Sequence, residues 1–231
     1  MSKEERYFNF PIQLLEGFMQ DSHTVLNNIF DYAIYTHTLR YTHDNEINVQ
    51  VSSACKFFGV TAGNAIKSYH NGEMLYSSIE PNSPMVGINK DMFFDYYKDD
   101  KNEFHKVCLL GFLALRSIIQ DKRYIKITNN YLWARMDGKA KSIKSIDELS
   151  AEIRKYANNY QTRKIKEALS NDWYLRTYSY YTRGFYVSFK LSMEELVLIA
   201  ETNRASYKNK KRKQEEKEAR EKAIKQLSAP P

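Results

Sequence analysis

Between Gln161 and Ser170 the chain sets Gln161, Arg163, Lys164, Lys166, Glu167 and Ser170 within about three helical turns. At about 100° per residue, Ile165, Ala168 and Leu169 form one stripe. Arg163, Glu167 and Ser170 point the opposite way, with Lys164 and Lys166 on the flanks. These groups suit a polyanion that also displays hydrogen-bonding edges. A guanidinium matches the acceptors of guanine, a carboxylate accepts from the cytosine amine, and lysines hold phosphates. A solvated helix face carries the same residue types. Nearby, Lys139 and Lys141 stand in a basic, Ser-containing connector. Arg176, Tyr178, Tyr180 and Arg183 stand in an aromatic segment whose rings and guanidinia also suit unpaired bases.

Catalytic chemistry finds little to work with. The eight glycines are scattered, and Gly59-Val60-Thr61-Ala62-Gly63-Asn64 lacks the Lys-Ser/Thr ending of a phosphate-binding loop. His23, His37, His43, His70 and His105 show no metal spacing. Cys55 and Cys108 lie far apart in apolar surroundings and read as reduced core thiols. Tyr96 and Tyr97 beside Lys101 faintly suggest a tyrosine nucleophile for DNA nicking, but no histidine pair accompanies them. Asp99-Asp100-Lys101 lacks the strand context of a nuclease. The expectation is a binding protein without enzymatic activity or cofactor.

Charge is distributed unevenly. Residues 122–190 hold 15 Lys/Arg against 6 Asp/Glu, a net of +9, whereas residues 1–121 hold 10 against 15, a net of −5. A basic segment beside an acidic one points to an anionic partner for the former, with duplex DNA first and single-stranded DNA or RNA behind it. The first six residues are charged and lack the apolar run of a signal peptide. The longest apolar run, Val107 to Leu115, is too short to cross a bilayer. A cytoplasmic protein without a membrane partner is expected.

Three units follow along the chain. Residues 1–88 read as an N-terminal helical module, with helices across 10–40, a joint at Gln20-Asp21-Ser22, and two short helices meeting at Gly59. It is expected to mediate homo-oligomerisation or to bind a partner. Glu80-Pro81-Asn82-Ser83-Pro84 breaks the chain before a second module over 89–203. A charged segment over 204–231 reads as helical or disordered. Glu216–Arg220, Glu218–Lys222 and Glu221–Lys225 are spaced there to pair along a helix. The fold class is mainly α with a small β-hairpin.

Within the second module, Phe104 to Ile119 is apolar around most of a helix and must be buried. Tyr124-Ile125-Lys126-Ile127 reads as a short strand. Thr128 caps a helix over Asn129–Met136 that ends at Asp137-Gly138. Another short helix spans Asp147–Tyr156, then comes the helix bearing Arg163. A hairpin turning at Thr182-Arg183-Gly184 follows, with Trp173, Leu175, Phe185, Val187 and Phe189 on one face. Its other face carries Tyr174, Arg176, Tyr178, Tyr180 and Tyr186, exposed if only two layers exist. Ser192 with Glu195 forms a capping box for a last helix through Asn203.

In that order of elements, residues 103–203 resemble the winged helix-turn-helix domains of bacterial and phage regulators and replication initiators. The resemblance implies that Gln161–Asn171 is a recognition helix entering a major groove. It also implies that Arg183 at the wing tip contacts phosphate or the minor groove. The implied role is transcription regulation or accessory replication in a bacterium, phage or mobile element. A protein-interaction module without nucleic-acid binding is the alternative, since fold does not fix function.

Overall fold

A computed structural model describes residues 6–41, 46–179 and 184–227. The chain is mainly helical with two small antiparallel sheets. The first sheet pairs β1 (Tyr7–Pro11) with β2 (Met85–Asn89), Phe8 opposite Ile88 and Phe10 opposite Val86. This corrects the helix expected from residue 10. Phe8 and Phe10 alternate with exposed Tyr7 and Asn9, a period of two, and a single 3-10 turn over Ile12–Leu15 follows. The helix proper, α1 (Ser22–Tyr41), begins where the Asp21 carboxylate accepts from the Thr24 amide (2.9 Å).

α2 (Ile47–Phe58) and α3 (Ala62–Ser78) meet at Gly59, as expected, with Gly59 in the left-handed region at φ 72°. Thr61 occupies the cap position of α3 without a side-chain hydrogen bond. α3 lies close along α1. A Cβ on Gly72 would run into the Asp31 carbonyl, so this crossing requires glycine. α4 (Lys90–Lys98) is capped by Asn89 and turns Phe93 into a cluster of rings with Phe8 and Phe30, against which Phe58 also packs. One hydrophobic core runs from Phe8 through Val107, Leu109 and Leu110 to Val187. The 88/89 boundary drawn from the sequence therefore falls inside a continuous core, and α4 packs with the N-terminal elements.

α5 (Glu103–Ile119) is the buried central helix. β3 (Ile125–Ile127), α6 (Asn129–Met136), one-turn α7 (Ala151–Arg154), α8 (Asn159–Asp172), β4 (Arg176–Tyr178) and β5 (Phe185–Ser188) follow. The sheet order is β3-β5-β4. The single helix expected over Asp147–Tyr156 is broken. Ser145 caps a 3-10 turn reciprocally with Glu148, and Ser150 starts α7 afresh. Gly184, at φ 83°, sits where a Cβ would strike the Ile127 carbonyl, so β3 can close against the hairpin only over glycine.

α9 (Met193–Leu227) starts at the expected capping box: the Ser192 amide donates to Glu195 (2.9 Å), and the Glu195 amide donates to the Ser192 hydroxyl (3.2 Å). It runs on through the charged segment as one helix. Leu196 and Ala200 pack with Tyr186 and Leu191, whereas side chains from 205 to 221 are exposed. Ion pairs on this arm run from Lys211 to Glu215, Arg212 to Glu216 and Lys217 to Glu221. This is opposite in polarity to the expected Glu216–Arg220 spacing. On a solvated helix the two choices differ by only a few tenths of a kcal/mol. Among the described residues no helix is long and apolar enough to cross a membrane.

Candidate nucleic-acid interface

α6 and α8 are locked together. The Thr128 hydroxyl accepts from the Tyr131 amide (3.3 Å) and starts α6, and the Asn158 side chain accepts from the Gln161 amide (2.9 Å) and starts α8. The Trp133 indole donates to the buried Thr162 hydroxyl (2.9 Å), fixing the roll of one helix on the other. Gly111 of α5 lets Ile165 and Leu169 approach closely. The stripe expected to be buried is therefore buried, and α8 turns its opposite face outward.

On that outward face the Arg163 side chain is 69% exposed and lies 3.6 Å from Glu167. Such an exposed pair is held by little energy and is open to exchange for another anion. Lys164 is exposed, and its ammonium sits 4.7 Å from the centroid of the Tyr160 ring. Arg163 lies over the same ring at 5.8 Å. Tyr160, 55% exposed, was not anticipated, because the helix begins two residues earlier than the apolar period indicates. Asn158 in the cap position was the available signal.

Between α8, the start of α6 and the hairpin lies a groove of about 610 Å³. Arg163, Lys166, Glu167 and Ser170 line it from α8, Asn129 from α6, and Thr177 and Ser179 from the hairpin side. Gln161 is half-buried outside it. Lys166 differs from the expected free phosphate-holder. Its ammonium lies 3.2 Å from the Phe185 ring centroid and donates to the Asn129 side-chain carbonyl (3.3 Å). Burial pushes its pKa down to about 8.

Two further corrections concern the hairpin and the connector. Arg176 and Tyr178 alternate away from Thr177, so they face the opposite side of the sheet from α8. That side was expected to be exposed, but α9 covers it. Tyr186 is buried, and the half-buried Tyr178 hydroxyl donates to Glu201 (2.7 Å). Their rings serve packing, and Arg176 does not converge with Arg163. Lys139 is held at 2.6 Å by Asp137, a buried carboxylate that also accepts from the Ser150 amide (3.0 Å). Half-buried and paired with this carboxylate, Lys139 is part of the connector's scaffold. Lys141 is exposed and lines a second hollow, described below. Tyr180 and Arg183 lie outside the described residues.

His37 packs against Phe57 and Tyr41 and contacts Ser53, and burial drives its pKa down to about 4. Burial pushes the Cys108 thiol up to about 11, the wrong direction for a nucleophile. Among the described residues no group of three His, Cys, Asp or Glu could hold a metal ion. Comparison with known protein families, with curated proteins and with solved structures finds no match to this chain.

Proposed function

We propose that residues 103–203 act as a winged helix-turn-helix and that the protein binds duplex DNA, as a transcription regulator or accessory replication factor in the cytoplasm. One observation carries this reading. Exposed Arg163 on the outward face of α8, with Lys164 and Tyr160 beside it, lines a groove whose opposite wall is the hairpin. The order helix–strand–helix–helix–helix–strand–strand, in which one-turn α7 is an addition between α6 and α8, with the sheet order β3-β5-β4 supports the same reading. Duplex is favoured over single strands because Tyr178 and Tyr186, two rings of the face expected to suit unpaired bases, are engaged by α9.

An exposed Tyr flanked by Arg is also the composition of a protein-binding hot spot, so an interaction module is the competing reading. A gel-shift salt series on a generic duplex separates the two. Duplex binding through phosphates weakens steeply as salt rises. The double variant Arg163→Ala/Lys164→Ala should lose more affinity than a chain truncated after Asn209. If the truncation alone removes binding, the helix-face reading is wrong and attraction to the charged arm explains the shift. If the intact chain shifts no duplex at low salt, the interaction-module reading takes its place.

A further inference from the structure

Arg135 is the least expected charge in the molecule. It stands in the last turn of α6 and is 5% exposed. Its Nη2 donates to the Tyr131 hydroxyl (2.8 Å), and the guanidinium lies 5.2 Å from that ring's centroid. Nε and Nη1 are buried without a hydrogen-bond partner. Among the described residues no carboxylate lies within ion-pairing distance of it, since no salt bridge includes Arg135. A guanidinium does not escape such a position by losing its proton, as a lysine can. A buried cation with no counter-ion costs far more than an ordinary buried polar group, and an anion that reaches it recovers much of that cost.

Tyr131 forms part of the wall of a hollow of about 570 Å³ on the other side of the α6 N-terminus from the α8 groove. Lys126, Thr128, Lys141 and Ser142 line the same hollow, which has no acidic side chain. Two lysines and three hydroxyl-bearing residues thus contribute to its wall, exposed Lys126 with its ammonium 5.6 Å from the Tyr186 ring centroid, and the first turn of α6 adds the positive end of its dipole. The Tyr131 hydroxyl accepts from Arg135, so its own proton is left for another acceptor. Tyr131 is thus the residue that touches both the buried guanidinium and the hollow.

We propose that this hollow binds a phosphate group, with Lys126 and Lys141 as its direct partners, the Tyr131 hydroxyl as donor, and Arg135 as the buried charge behind it. The source is the backbone of duplex DNA. Thr128 borders this hollow and Asn129 borders the α8 groove, so one strand passes around the start of α6 from one to the other. This last step rests on the duplex-binding reading; the anion site itself does not.

The test uses the full chain and two probes. Inorganic phosphate is titrated while the Arg135 Nε–H and the backbone amides of 126–131 and 140–142 are followed by NMR. Saturable shifts confined to these groups are expected in the wild type. At least tenfold weaker binding is expected in Lys126→Ala/Lys141→Ala and in Arg135→Met, the latter preserving volume while removing the charge. Tyr131→Phe should uncouple the Arg135 signal from the titration. A silent wild-type titration, or one unchanged in Arg135→Met, overturns the site. With duplex as probe, Lys126→Ala/Lys141→Ala should reduce the slope of log affinity against log salt by about one. If phosphate binds and that slope is unchanged, the DNA source is wrong and free phosphate is the ligand. If phosphate binds and the wild type binds no duplex, the duplex reading fails while the hollow stands.

Discussion

Replacing Lys166 by methionine should make the protein more stable at neutral pH, although it deletes a hydrogen bond and a cation. Burial holds the folded-state pKa of Lys166 near 8 against 10.5 for the free side chain. A gap of that size is on the order of 3 kcal/mol at about 1.4 kcal/mol per pKa unit. At pH 7 both folded and unfolded chains carry the proton, and the folded state bears the whole cost. As pH rises from about 8 toward 10.5 the folded chain sheds the proton while the unfolded chain keeps it. The unfolded state then binds more protons, so stability climbs with pH across that window. Methionine fills the same space but loses the cation–π contact with Phe185, worth about 0.5–2 kcal/mol, and the bond to Asn129, worth about 0.5–1.5 kcal/mol. The net expectation is a gain of about 1 kcal/mol at pH 7, or roughly 2–4 °C in Tm for a chain of this size. The gain should shrink to nearly nothing by pH 10. Urea unfolding of both proteins at pH 7, 8.5 and 9.5 measures it. Cys108, raised to about 11, and Tyr96 and Tyr156, raised to about 12, also titrate above neutrality. They are common to both proteins and cancel in the difference. A variant less stable than wild type at pH 7, or a difference that does not change with pH, would refute the reasoning.

Two other substitutions test the packing that presents the site. Tyr178→Phe removes the hydroxyl that donates to Glu201 and should cost about 1 kcal/mol in urea unfolding, leaving single-strand affinity unchanged. In Tyr178→Ala, which removes the ring, an intact stability with lost single-strand binding would show the ring to be a stacking platform. Gly72→Ala drives a methyl into the Asp31 carbonyl at the α1–α3 crossing and should cost about 1–3 kcal/mol by the same assay. A neutral result would mean that α3 shifts freely on α1.

What could be read from the sequence was local. Thr128, the apolar positions Leu132, Trp133 and Met136, and Asp137-Gly138 mark α6 with its observed bounds, because caps and period agree within eight residues. The outward placement of Arg163 and Lys164 followed from the stripe of Ile165 and Leu169 in the same way. Contacts distant in sequence were not accessible. β1 and β2 are five residues each and stand more than seventy residues apart, and Leu14, Leu15 and Phe18 nearby fall at helical spacing. The hairpin's alternation correctly divided its two faces but said nothing of what lies over the second. Among the described residues Leu196, Ile199 and Ala200, at the start of a highly charged helix, pack with Tyr186 and Leu191, too few apolar residues to announce a third layer. Lys166 and Arg135 fail for a related reason. Their letters are those of surface residues, and only the Phe185 ring and the fold around α6 bury them.

The most direct measurement places a photo-crosslinker at two exposed tyrosines in turn. Tyr160 stands on the face of α8, and Tyr207, 70% exposed, stands on the projecting arm of α9. With benzoylphenylalanine at position 160, irradiation in the presence of labelled duplex should give a covalent adduct that excess unlabelled duplex suppresses. Capture of duplex from position 207 with none from position 160 would contradict DNA binding by α8.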